Sequence, residues 1–189
     1  MEQGKVVRQF KSKKGNDVVF RYPTKDDFTG VWNFACDLVS EDTFIELAGT
    51  APTEEEERKW FDEMLDRIEK NESVNISVFV NGAFAGNGRA DRGKYRHSHV
   101  GHLGLSLAAA YRDEGIGTEL MKALIDEAKA LGLRLLTLSC FENNPRALHV
   151  YEKLGFQKAG IIPNAVAYKD GFVGEVKLYL PLTADSANL

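Results

Sequence analysis

Six residues, Arg112-Asp113-Glu114-Gly115-Ile116-Gly117, separate an apolar segment from an amphipathic one. The stretch before them, Val100-Gly101-His102-Leu103-Gly104-Leu105-Ser106-Leu107, reads as a buried strand. Residues 118–131 place Leu120, Met121, Leu124, Ile125, Ala128 and Leu131 on one helical face. A strand that turns through glycines into a helix leaves backbone N–H groups free at the helix start, where they suit an anion. Gly115 and Gly117 let that backbone approach a ligand closely, because no Cβ intervenes. The spacing differs from the dinucleotide pattern Gly-x-Gly-x-x-Gly. It also lacks the Gly-Lys-Ser/Thr ending of a P-loop. The setting points to a compact loop that wraps a pyrophosphate.

The rest of the chain supplies the sheet and helices around this loop. Residues 6–10 and 18–22 read as strands about the turn Lys13-Lys14-Gly15-Asn16, with Lys11, Lys13 and Lys14 at a solvated hairpin tip. Thr24 with Asp27, and Thr53 with Glu56, are capping-box signals for two helices. Their apolar stripes are Phe28, Val31, Trp32, Ala35, Leu38 and Val39, then Trp60, Phe61, Met64, Leu65 and Ile68. Residues 40–52 form a polar loop between them. The acidic run 54–57 is read as helix N-terminal charge rather than a cation site. Residues 73–80 and 83–90 are strands joined by Asn81-Gly82. Residues 133–140 form a strand, and Asn144 with Pro145 opens a further helix that ends at Gly155. Residues 156–160 begin another strand, and Lys169-Asp170-Gly171 turns into the last, 173–180.

Downstream of the loop runs Asn144-Pro145-Arg146-Ala147-Leu148-His149-Val150-Tyr151-Glu152-Lys153-Leu154-Gly155-Phe156. This resembles the Asn-x-x-Ala-x-x-x-Tyr-x-x-x-Gly-Phe segment of the GNAT N-acetyltransferase superfamily, and Arg-x-x-Gly-x-Gly resembles its coenzyme A loop. The resemblance covers the chain after a divergent N-terminal region. It implies an α/β (α+β) GNAT fold, a mixed, mostly antiparallel central sheet flanked by helices on both faces. It also implies acetyl-CoA as cofactor and direct attack of an amine on the thioester in a ternary complex. On this reading Arg112, Asp113, Glu114, Gly115, Ile116, Gly117 and Thr118 hold the pyrophosphate, mainly through backbone N–H groups, with Arg112 adding charge. Leu105, Ser106 and Leu107 give backbone bonds to the pantetheine arm, and one of their N–H groups faces the thioester oxygen. Asn144 caps its helix and touches the arm. Tyr151 is the general acid, since a phenol and an alkyl thiol have comparable acidity. Phe156 is core.

The base is not named by the motifs. Ser139 stands where some ribosomal-protein N-acetyltransferases carry a glutamate, and a serine cannot serve as that base. His102 shares a strand face with Gly104 and Ser106 and is the candidate, because an imidazole can take an ammonium proton near neutral pH. It stands as a polar residue inside an apolar strand. His99 is a second candidate, with a hydrogen bond at the strand entrance as its alternative role. Glu41, Asp42 and Glu46 lie on the loop that forms the acceptor side in this superfamily. They bind a cationic amine or are solvated, and nothing in the sequence favours either.

The length of 189 residues suits one domain, 1–182, with a frayed tail at 183–189. A net charge of −4 argues against general nucleic-acid binding. Cys36 and Cys140 make no metal pattern and read as buried free thiols in a reducing, cytoplasmic setting. No apolar run is long enough to cross a membrane, and no secretion signal is evident. The expected acceptor is a small amine, amino acid or polyamine. A peptide N-terminus and a CoA-binding sensor without catalysis are the alternatives. A homodimer is what the family resemblance implies.

Overall fold

Among the described residues, alternating and helical apolar patterns resolve into eight strands and four α-helices. The computed structural model of the chain describes residues 2–41, 43–45 and 50–182. Asp42, Glu46 and the expected tail 183–189 lie outside the described residues. The strands are β1 (Val6–Lys11), β2 (Asp17–Arg21), β3 (Ser73–Val80), β4 (Ala83–Arg92), β5 (Val100–Leu107), β6 (Leu135–Phe141), β7 (Gln157–Tyr168) and β8 (Gly171–Pro181). The helices are α1 (Phe28–Glu41), α2 (Glu54–Glu69), α3 (Ile116–Ala130) and α4 (Pro145–Lys153).

The helix starts follow their capping chemistry. The Asp27 carboxylate accepts from Thr24 N at 2.7 Å and from Thr24 Oγ1 at 3.2 Å. The first turn there is 3₁₀, and α1 begins one turn later than the cap suggests. At α2 the box closes fully: Thr53 N donates to Glu56 at 2.9 Å, and Glu56 N donates to Thr53 Oγ1 at 3.3 Å. Asn144 Oδ1 caps α4 by accepting from Ala147 N at 3.1 Å.

One sheet runs in the order β1-β2-β3-β4-β5-β6-β8-β7, and every neighbouring pair is antiparallel except β5–β6. This is the expected mixed, mostly antiparallel sheet. Helix α1 packs on β4 through Gly30 and Phe84, and α3 packs where Gly88 leaves room for Leu120 and Leu124. A Cβ on Gly88 would stand 2.7 Å from Leu124 Cδ1, so the helix sits as close as a bare backbone allows. Leu120, Met121 and Leu124 are fully buried. Each such side chain stabilises by roughly 2–5 kcal/mol against alanine.

The parallel pair matters most for the site. β5 and β6 pair only at Val100 with Leu135, Gly101 with Leu136 and His102 with Thr137. Beyond His102 the two strands part, while β5 stays on β4 and β6 stays on β8. The sheet is thus split from Leu103 onward, and the β6-facing edge of β5 has no ladder partner there. The expectation of a buried β5 is corrected accordingly: Gly101 and Leu103 are buried, His102 is exposed, and residues 104–107 are half-buried beside the split.

Strand β7 is longer than its sequence suggested, because it is an edge. None of its residues is buried, so nothing imposes apolar alternation on residues 161–168. A register shift between Ile162 and Val166, with Asn164 at φ 54°, interrupts the pattern further. Cys140 is buried as expected, whereas Cys36 is only half-buried.

Candidate active site

The split in the sheet opens into two adjoining cavities of about 590 and 540 Å³. The first is lined by Leu107, the loop residues Arg112, Asp113, Gly115, Gly117 and Thr118, and α4. The second is lined by α1, α2 and one face of the sheet, including Asn87, Arg89, His102, Ser139 and Glu175. Leu38, Phe44, Ile45, Leu105, Ser106, Asn144 and Tyr151 border both. A group entering from the first cavity therefore meets one entering from the second beside Ser106 and Tyr151.

The loop has the conformation its glycines allow. Gly115 adopts φ 82° at the N-cap of α3, a left-handed state open to glycine at little cost. Among the described residues, no protein group accepts from the backbone N–H groups of Asp113, Glu114, Gly115, Ile116, Gly117 or Thr118. Of these residues Asp113, Gly115, Gly117 and Thr118 line the first cavity, at and just before the start of α3. That is the arrangement a pyrophosphate requires, and it is the observation by which the residues present fit coenzyme A.

Four side chains behave differently from their expected roles. Glu114 is buried, and its carboxylate turns away from the cavity. It accepts from Ser12 Oγ at 2.6 Å and Asn16 Nδ2 at 2.8 Å, with Lys14 Nζ at 3.4 Å. Its carbonyl accepts from Lys13 N at 3.0 Å. Glu114 therefore pins the loop to the β1–β2 hairpin. Arg112 is not a free charge: its guanidinium pairs bidentately with Glu41, Nη2 standing 2.7 Å from Oε2, and its Nε donates to the Leu107 carbonyl at 3.0 Å. It ties the end of α1 to the end of β5. Glu41, expected on the acceptor side, is consumed by this pair. Lys13, read as a solvated tip, lines the first cavity and packs on Gly115. No local sequence signal marked it, because only the Glu114 anchor brings the hairpin over the loop. Arg146 also lines this cavity and pairs with Asp113 at 2.7 Å.

The hydrogen bonds of Ser12 and Asn16 hold the Glu114 carboxyl below the usual carboxylate range. Its contribution to stability is therefore present above the ordinary glutamate pKa and is lost as pH falls through its own. Glu114→Ala is expected to lower Tm at pH 7, and the gap to wild type should close on acidification below about pH 4. Thermal melts across that range check this; a gap independent of pH would refute the anchor.

The Tyr151 hydroxyl has no hydrogen-bond partner among the described residues and borders both cavities. Its ring lies 6.0 Å from that of Phe156, which is buried in the core. Burial pushes the phenol well above its ordinary pKa, with a smaller contribution from Cys140. The match to a thiol is therefore less close than for a free phenol, but the proton is firmly held. Burial pushes the Cys140 thiol up to about 11, so this cavity-lining cysteine is no ready nucleophile.

His102 lines the second cavity, with Nδ1 3.3 Å from Thr137 Oγ1. It is exposed although its strand reads as buried, and its position in the cavity is what recommends it. His99 lines neither cavity. Its carbonyl accepts from Arg134 N and Leu135 N, so its backbone ties the strand entrance. Among the described residues, no group of His, Cys, Asp and Glu could hold a metal, and no helix is long and apolar enough to cross a membrane.

The sequence pattern of the Acetyltransferase (GNAT) family matches residues 41–156. The [ribosomal protein bS18]-alanine N-acetyltransferase of Escherichia coli strain K12 is 34% identical over 73 residues, 39% of this chain and 49% of that protein. The match thus spans about half of that curated relative. Among solved structures, an acetyltransferase of the GNAT family from Streptococcus pneumoniae superimposes with a TM-score of 0.78 at 23% identity, over 87% of this chain and 99% of that one. The yncA structure from Salmonella typhimurium with its cofactor acetyl-CoA gives 0.78 at 16% identity, over 89% and 96%.

Proposed function

Because the chain belongs to the acetyltransferase (GNAT) family, we propose that it is an acetyl-CoA-dependent N-acetyltransferase acting on a small primary amine, amino acid or polyamine. The observation that carries this is the row of N–H groups from Asp113 to Thr118 that have no partner among the described residues, at the head of a cavity that runs along the open edge of β5 to Tyr151. Bound acetyl-CoA supplies an activated acetyl thioester. The loop binds its pyrophosphate, with Lys13 lining the same cavity as a cation that has no ion pair among the described residues. The unladdered edge of β5 at Leu105, Ser106 and Leu107 orients the pantetheine arm and offers an N–H to the thioester oxygen. Asn144 borders the same arm. His102 takes the proton of the acceptor ammonium, and Tyr151 gives its proton to the departing sulfur.

The test is release of free CoA thiol from acetyl-CoA in the presence of amines, amino acids and peptides. Stimulation by small amines supports the reading. Stimulation by N-terminal peptides alone favours the peptide acceptor, which the bS18-alanine enzyme's name suggests and the serine at position 139 disfavours. CoA binding without stimulation by any acceptor leaves only the sensor. With an acceptor in hand, His102→Gln should lose rate near neutral pH and recover at high pH, where the amine deprotonates itself. A wild-type pH–rate profile in that variant would remove His102 from the mechanism.

A further inference from the structure

Among the described residues, the second cavity is lined by one carboxylate without an ion pair or a side-chain hydrogen bond. Arg89 Nε stands 3.2 Å from Asp91, and Glu175 accepts from Lys177 Nζ at 2.6 Å. His102 has its contact with Thr137. Glu57 lines the same cavity and, among the described residues, has no ion pair and no side-chain hydrogen bond.

Its neighbours in the acidic run are accounted for differently. Glu54 pairs with Arg58 at 2.9 Å, Glu56 closes the cap at Thr53, and Glu55 is exposed. Glu57 stands four residues before Phe61 and seven before Met64, the spacing of the buried stripe of α2. A carboxylate therefore occupies a position that the helix otherwise gives to apolar side chains, half-buried beside Trp60 and Phe34. Desolvation raises its pKa above the ordinary range, with no opposing contact. A half-buried carboxylate without a partner costs free energy unless a ligand supplies the partner.

We propose that Glu57 binds a positively charged group of the acceptor, which makes the acceptor a cation-bearing amine on an apolar stem. This rests on the acetyltransferase reading of the same site. Glu57 sets specificity here; the proton transfers stay with the groups beside Ser106. The apolar walls from α1 and α2 take the stem, and the carboxylate takes the charge.

The test uses pentylammonium, pentanol and pentanoate titrated into the CoA-loaded protein, with binding read by NMR shifts. The wild type is expected to bind pentylammonium about tenfold or more tighter than pentanol, the size of one partly desolvated charge contact. Pentanoate should bind least. Glu57→Gln should abolish the preference for the cation, and Glu57→Asp should keep part of it. CoA affinity should be unchanged in both, and Tm no lower in Glu57→Gln, since an unpartnered charge has been removed. Equal pentylammonium affinity in wild type and Glu57→Gln overturns the proposal, as does a wild type that binds it no better than pentanol or not at all. If CoA itself fails to bind, the acetyltransferase reading fails, and the same titrations without CoA still decide Glu57.

Discussion

Gly117→Val is expected to weaken acetyl-CoA binding by about a hundredfold or more while leaving the fold intact. The size follows from the loop: a side chain at this position holds the phosphates away from the helix start and forfeits at least two charge-assisted N–H contacts. Each is worth about 1.5–3 kcal/mol, and about 1.4 kcal/mol is tenfold in affinity. The fold should tolerate the change. A Cβ on Gly117 would meet only Leu107 Cδ1, at 3.4 Å, an ordinary contact, and valine is no worse than glycine inside a helix. Gly115 would be a poorer test, since at φ 82° and with Lys13 Cε 3.3 Å from its Cβ position a substitution strains the backbone itself. Calorimetry with acetyl-CoA and a thermal melt decide the matter. Unchanged affinity in a folded Gly117→Val protein would remove the loop from cofactor binding.

The sequence announced those parts of the site whose chemistry is local. The glycines of the loop, the Asn144 cap and the stripe of α3 each follow from spacing within a dozen residues, and each lies where that spacing puts it. The capping pairs Thr24–Asp27 and Thr53–Glu56 were legible for the same reason. What depends on distant segments was not. Glu114 looks like a loop ligand until Ser12 and Asn16 arrive from a hairpin a hundred residues away. Arg112 looks like a free cation until Glu41 closes on it. Glu57 looks like ordinary helix N-terminal charge until the cavity beside Trp60 is seen. The split between β5 and β6 has no sequence signature, because it is an absence of pairing between two strands that each read normally. Exposure hid β7 in the same way, since a strand with no buried residue need not alternate.

Tyr151→Phe should lower turnover by a factor on the order of ten to a thousand, the range for losing a positioned general acid. Acetyl-CoA affinity should hardly change, because the ring keeps its place beside Phe156 and only the hydroxyl goes. The hydroxyl has no protein partner among the described residues, so its removal orphans no donor or acceptor. Stability should therefore match wild type. The pH dependence gives a sharper check. Burial holds the phenol proton above the ordinary tyrosine value of about 10, so the acid stays loaded throughout the range in which the amine becomes neutral. Wild-type rate should then rise with pH and show no alkaline fall below about pH 10. An acid of ordinary phenolic strength would begin to lose its proton, and the rate would bend downward, within that range. Phenylalanine with wild-type turnover on a confirmed acceptor would make Tyr151 a packing residue; a downward bend that persists unchanged in Tyr151→Phe would assign the acid to another group.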